Sequence, residues 1–198
     1  MKIKFQPNKT GWIIILSMIG IAVAIAIRKR KTIKQFAVKS INYLKEKSWD
    51  LVSDKRISKL HPLVREKAKE FIIRAEKELG KKLRVVSGLR TWDEQARLYA
   101  QGRTLPGKIV TNAKPGQSLH NYGLAIDVVE IKDGKALWNN PDWEKIARLG
   151  KSIGFEWGGD WKSFKDKPHF EMRFGKSLAQ LKDLYQSGKR NGEYVYLT

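Results

Sequence analysis

Residues 118 to 131, Ser118-Leu-His-Asn-Tyr-Gly-Leu-Ala-Ile-Asp127-Val-Val-Glu-Ile131, carry the reading on which the fold turns. From Leu124 to Ile131 the stretch alternates, with Ala125, Asp127 and Val129 on one side of an extended chain and Ile126 and Val128 on the other, so it reads as a strand. Asp127 interrupts an otherwise apolar run. A carboxylate in that position must be paired, hydrogen-bonded or bound to a metal, because an unpaired buried charge is very costly.

The flanking segments mix helix and strand without a regular βαβ rhythm. Upstream, Val64, Ala68, Phe71, Ile72, Ala75 and Leu79 share one face of a helix that Gly80 ends, and Leu83-Arg-Val-Val-Ser87 reads as a short strand. Thr91-Trp-Asp-Glu94 is a capping box opening a helix through Leu98 and Tyr99 that Gly102 ends, and a long loop follows to about residue 123. Downstream, Asn140-Pro141-Asp142 predicts a helix start, with Trp143, Ile146, Leu149 and Ile153 facing the core and Gly154 at the end. After the turn at Gly158-Gly159, a strand over His169–Phe174 and a helix over Ser177–Ser187 complete the pattern. The expected class is α+β, a small, mostly antiparallel sheet flanked by helices.

The 198 residues suffice for one core with additional segments, and 41% apolar with 10% aromatic content excludes a disordered basic tail. The absence of Cys excludes a disulfide scaffold, a thiolate metal site and a Cys nucleophile. A net charge of +20, from 40 Lys and Arg against 20 Asp and Glu, calls for an anionic partner: nucleic acid, a membrane surface or an acidic polymer. Residues 1–56 hold 13 basic and 3 acidic side chains, leaving 27 and 17 in the remainder, so each part contributes +10.

That first part also holds an uncharged run, Trp12 to Ile27. It predicts a basic segment at 1–10 and a transmembrane helix at 11–27, with a cleaved signal peptide as the alternative. Residues 28–56 read as a basic stalk in which Ile33, Phe36, Ala37, Ile41 and Leu44 recur at helical spacing, either lying on lipid headgroups or forming a plain linker helix. The folded domain is expected over 57–187 and a C-terminal tail over 188–198.

Three histidines are present, His61, His120 and His169. His61, beside Pro62 at a helix start, has a structural or surface role. His120, Asp127 and His169 are two imidazoles and one carboxylate, a standard ligand set for a Zn²⁺ that keeps its fourth position for water. Spacing alone leaves a second reading equally open, in which Asp127 caps a turn, His120 is an exposed loop residue and His169 is a satisfied core histidine.

The run Ser87-Gly-Leu-Arg-Thr91 with Gln95, then Leu98-Tyr-Ala-Gln-Gly-Arg-Thr104, then Ser118-x-His-x-x-Gly-x-Ala-x-Asp127, Gly154-Phe-Glu-Trp-Gly-Gly-Asp-Trp161 and Asp166-Lys-Pro-His-Phe-Glu171 resembles the VanY-like peptidoglycan peptidases. These comprise zinc D-alanyl-D-alanine carboxypeptidases and L-alanyl-D-glutamate endopeptidases, phage endolysins among them. The resemblance covers about residues 60 to 175. It implies the fold shared by hedgehog domains and D-alanyl-D-alanine peptidases, and zinc held by His120, Asp127 and His169. It further implies Asp166 as general base, Arg90 at the scissile carbonyl or developing oxyanion, and Ser87, Gln95 and Ser118 near the substrate. Trp157 and Trp161 read mainly as packing residues.

The function implied is hydrolysis of the peptidoglycan stem peptide by a monomeric zinc enzyme, at the L-alanyl-D-glutamate bond in preference to D-alanyl-D-alanine. A catalytically silent, zinc-containing wall-binding domain is the alternative. Nucleic acid is not an expected partner, because the charge is accompanied by no recognition motif and suits an anionic membrane or cell-wall surface. With such a substrate, the expectation is a catalytic domain outside the membrane, anchored by the N-terminal helix.

Overall fold

The strand carrying Asp127 is central because both of its edges are paired. In the computed structural model, which describes residues 27–35 and 51–197, it forms β2 (Ala125–Lys132). β2 lies between β1 (Leu83–Ser87) and β5 (His169–Glu171), with β3 (Lys135–Leu137) extending its far end and β4 (Glu156–Trp157) closing the sheet beside β5. Every pairing is antiparallel. The helices are α1 (Pro62–Leu79), α2 (Trp92–Ala100), α3 (Trp143–Ile153) and α4 (Leu178–Gln186), so the class is α+β as expected. The chain divides into two units, Met1–Lys45 and Glu46–Thr198, and the second holds all these elements.

The apolar positions counted on α1 become the core: Val64, Ala68, Phe71 and Ala75 are buried. Phe71 meets Phe170 of β5 edge to face, with ring centroids 4.8 Å apart, and Phe155 at 5.7 Å, which ties helix to sheet beneath β5. Gly150 on α3 allows that contact. A Cβ there would lie 2.7 Å from Phe170 Cε1 and 3.2 Å from Phe71 Cζ. Thr91 and Glu94 form the predicted capping box at the start of α2. The long loop after α2 is held by Arg103, which donates to the carbonyls of Tyr99 at 2.6 Å and Thr111 at 3.0 Å and packs over the Tyr99 ring.

Several boundaries differ from the expectation for local reasons. α2 ends at Ala100 because Gln101 is already extended. Asp142, not Asn140, occupies the N-cap of α3, while Asn140 Oδ1 accepts from the Asp142 N–H in the preceding turn. β5 stops at Glu171, before Phe174 turns the chain with a φ of 50°. Residues Arg190–Asn191 and Tyr194–Val195 pair as β6 and β7, and Val195 and Leu197 are buried. Val195 carbonyl lies 3.1 Å from His61 Nε2, while His61 Nδ1 accepts from the Leu63 N–H and so caps α1.

One expectation is overturned. Among the described residues no helix is long and apolar enough to cross a membrane, which corrects the predicted transmembrane helix and the membrane-anchored placement built on it. The physical reason is charge distribution: the described helices are amphipathic or basic, as in the helical residues 27–35 with Arg28, Lys29, Arg30, Lys31 and Lys34. Of the run 11–27, all but Ile27 lies outside the described residues, as do 36–50 of the predicted stalk.

Gly150→Ala tests the helix-to-sheet contact. Overpacking against Phe170 costs about 1–3 kcal/mol, against a helix-propensity gain of at most about 1 kcal/mol, so thermal unfolding followed by circular dichroism should show a net fall in Tm of several degrees. An unchanged or raised Tm would mean that the α3–β5 contact has slack.

Candidate active site

Sheet register assembles the first part of the site. Asp127 is the register partner of His169 on β5 and of Ser87 on β1, so the three residues form one row across neighbouring strands. His120 arrives separately, on a 3-10 turn, Leu119–Tyr122, ended by Gly123 with a φ of 67°. A side chain at Gly123 would be strained by that φ and would meet the His61 backbone nitrogen at 2.6 Å. His120, Asp127 and His169 each offer one ligand atom, and those atoms lie within 4.8 Å of one another.

The outer ring nitrogens decide what faces inward. His120 Nδ1 lies 2.7 Å from the Gly88 carbonyl, which can only accept, so Nδ1 carries a proton and Nε2 is left facing Asp127 Oδ1 at 3.2 Å. His169 Nε2 lies 2.9 Å from Glu171 Oε2, and its Nδ1 faces the same Asp127 oxygen at 3.1 Å. If both rings are neutral with those outer bonds made, two imidazole lone pairs and a carboxylate oxygen converge. Only a shared cation or added protons can relieve that arrangement, so the donor set fits a divalent metal.

The titration behaviour agrees. Burial alone would raise the Asp127 carboxyl, but His120 and His169 outweigh it through charge and hydrogen bonds and hold it far below the usual carboxylate range. Burial likewise opposes charge on His169, yet its bonds to Asp127 and Glu171 lift its pKa to about 9. In the metal-free protein, a proton on His169 thus takes the place a cation would fill.

Asp166 stands at the edge of this centre, on a loop pinned at three points. Its N–H donates to the Gly158 carbonyl at 3.1 Å, Trp157 Nε1 donates to the Lys167 carbonyl at 2.7 Å, and the Val128 N–H donates to the Pro168 carbonyl at 3.0 Å. Gly158 permits the close approach, since a Cβ there would sit 2.5 Å from the Asp166 carbonyl oxygen. Burial, then the neighbouring Asp127 charge, raises the Asp166 carboxyl above its ordinary value. Trp161 lies with its ring centroid 5.0 Å from that of His169 and so walls one side of the site, while Trp157 is buried.

Arg90 is held from both sides. Its Nη1 donates to Gln95 Oε1 at 2.9 Å and its Nη2 to Ser87 Oγ at 3.3 Å, and its N–H donates to the His120 carbonyl at 3.0 Å. Gln95 is completely buried and also donates to the Ala113 carbonyl at 2.7 Å, so it acts on Arg90 from within the fold. Ser118 is half-buried immediately before the turn that carries His120.

Sequence reasoning passed over Glu171, a buried carboxylate that bonds His169 and accepts from Arg173 at 2.6 Å and 2.9 Å. The signal was available, since residues two apart on a strand share a face. It also passed over Asn121, fully buried, which donates from Nδ2 to the Arg90 carbonyl at 3.0 Å and accepts from the Gly116 N–H at 3.0 Å.

A pinned metal-type donor set, a carboxylate with raised proton affinity and a fixed guanidinium are the parts of a hydrolase of the metallopeptidase class. Residues 111–172 match the family described as D-alanyl-D-alanine carboxypeptidase. The chain is 45% identical over 125 residues to the peptidoglycan L-alanyl-D-glutamate endopeptidase CwlK of Bacillus subtilis (strain 168), a match covering 58% of this chain and 74% of that protein. It is 38% identical over 61 residues to the L-alanyl-D-glutamate peptidase of Listeria phage A118, covering 29% of this chain and 22% of that protein. Among solved structures, the Serratia marcescens L-Ala D-Glu endopeptidase ChiX is similar at 26% identity and a TM-score of 0.45, covering 62% of this chain and 86% of that one. The chain belongs to this family of peptidoglycan peptidases.

Two outcomes follow from the metal-type geometry. Because cation binding must displace the His169 proton, apparent affinity for a divalent cation should climb about tenfold per pH unit up to about pH 9 and then level off. Calorimetric titration in buffers of differing ionisation enthalpy should find about one proton released per cation near pH 8, and none released would refute the arrangement. Glu171→Gln should weaken cation affinity by roughly 10- to 100-fold with the far-ultraviolet spectrum unchanged.

Proposed function

We propose that this enzyme hydrolyses the bond between L-alanine and D-glutamate in the peptidoglycan stem peptide, with zinc held by His120 Nε2, Asp127 and His169 Nδ1. The observation that carries the reading is the convergence of two imidazole nitrogens on one oxygen of Asp127, with the far side of each ring already committed to an acceptor. Two histidines and a carboxylate leave a coordination position open, the donor set of a catalytic site in preference to a closed structural one. Similarity to CwlK supports the choice of bond.

Zinc bound there supplies Lewis acidity and lowers the pKa of water toward neutrality. The remaining work falls to side chains. Asp166 takes the proton of the attacking water and returns it to the leaving amine, a task suited to a carboxyl whose proton affinity is raised by burial and by Asp127. Arg90 directs its remaining N–H groups at the carbonyl oxygen as negative charge develops on it. Ser87 and Gln95 hold the guanidinium in place, so little reorganisation is needed during the reaction. Ser118 lies where the substrate backbone passes the His120 turn.

Mass spectrometry of defined muropeptides, digested with and without a chelator, tests bond and metal together. Cleavage between L-alanine and D-glutamate that stops with chelation and returns with zinc is the expected result. Release of terminal D-alanine would reassign the bond, and full activity in chelator would remove the metal. Asp166→Ala should retain cation affinity and Tm while turnover falls by about 10²- to 10⁴-fold. Near wild-type turnover would refute the assignment of the base.

A further inference from the structure

The loop between β1 and α2 holds His120 through the Gly88 carbonyl and the Arg90 N–H. The same loop lines a concavity of about 510 Å³, together with Arg56, Lys59 and, from α2, Glu94, Arg97 and Leu98. Glu94, Arg97 and Leu98 stand at i, i+3 and i+4, so one face of α2 supplies them.

The charge balance of this groove is one-sided. Arg56, Lys59, Arg90 and Arg97 contribute four cations, and Glu94 contributes the sole carboxylate. Glu94 is committed elsewhere, its Oε2 accepting from the Thr91 N–H at 2.8 Å in the capping box of α2. Arg56 is braced by a bond from Nη1 to the Val85 carbonyl at 2.9 Å, which holds its charge at the wall. Lys59 and Arg97 are exposed and have no ion pair among the described residues. Their charge is therefore available to a ligand, whereas that of Lys67, Lys69 or Lys145 is taken up by a neighbouring carboxylate.

We infer that this groove is a subsite for the acidic half of the substrate, taking the free carboxylate of the D-glutamate residue. The inference rests on the L-alanyl-D-glutamate reading above. A glutamate that carries the chain onward through one carboxyl keeps the other ionised, so the peptide leaving the scissile bond bears a negative charge close to it. Because Ser87 and Arg90 line the groove and Arg90 is also the group assigned to the scissile carbonyl, a ligand seated here adjoins the bond being cut. A separate anionic polymer would have no need of that adjacency. Arginine is the better partner for a carboxylate, since its planar fork can bond both oxygens at once.

The test uses the full chain, loaded with zinc, and two synthetic stem peptides that differ only in that carboxylate, one free and one converted to the carboxamide. Wild type should favour the free acid by about tenfold or more in kcat/KM, with most of the difference in KM. Arg97→Glu and Lys59→Glu should each lose that preference, read as the ratio of kcat/KM for the two peptides, and Arg97→Lys should keep part of it. An unchanged Tm for these exposed substitutions would show that the fold is intact. Equal cleavage of both peptides by wild type, or variants that retain the full preference, would overturn the subsite. Cleavage of neither peptide by wild type, or cleavage at another bond, would instead overturn the reading on which it rests.

Discussion

One carboxylate oxygen, Asp127 Oδ1, sits in the middle strand of the sheet with imidazole nitrogens at 3.1 Å and 3.2 Å. A negative charge in that position is tolerable only if cationic character is brought to it, and the architecture does so from two directions. β5 pairs with β2 so that His169 stands opposite Asp127, and the turn ended by Gly123 folds His120 back over the strand. The sheet register and the functional centre are therefore one constraint. A one-residue slip of β5 would send His169 to the opposite face and leave the half-buried Asp127 without its partner.

Rigidity spreads outward from that point through polar bonds among buried and half-buried groups. Gly88 fixes the tautomer of His120, Glu171 fixes that of His169, and Arg173 in turn holds Glu171. Asn121, inside the same turn as His120, bonds the Arg90 carbonyl, so the turn and the loop bearing the guanidinium move as one piece. Beneath this layer the Phe71, Phe155 and Phe170 rings lock α1 to β5, and the bare surface of Gly150 lets α3 close over them. The tight apolar packing below is what lets short polar distances persist above.

Much of this was legible in the chain before folding. The alternation around Asp127, the capping box at Thr91, and the helix faces of α1 and α3 were readable because each is a local pattern with one dominant physical cause. What escaped was non-local. Glu171 shares the strand face of His169 by its i, i+2 spacing, but only the fold of β5 beside β4 shows its enclosure. Gln95, expected near substrate, lies wholly inside, where it braces Arg90. Helical phase allows that placement, but packing selects it. The apolar run at 11–27 misled in another way, since hydropathy was read as a membrane-spanning helix that no described helix bears out.

By itself, the sequence determined the α+β class and the strand through Asp127, because period, capping chemistry and the cost of a charge among apolar neighbours are local properties, while the donor set His120, Asp127 and His169 rested on the resemblance to a known family. The tertiary structure alone decided which nitrogen of each imidazole faces Asp127, that Glu171 and Gly88 hold those rings, and that Ser87 and Gln95 grip Arg90. It also decided that the β1–α2 loop lines a cationic groove. These are matters of distance and direction between residues far apart in the chain. Tautomer, enclosure and charge balance exist only once strands are in register and loops are packed.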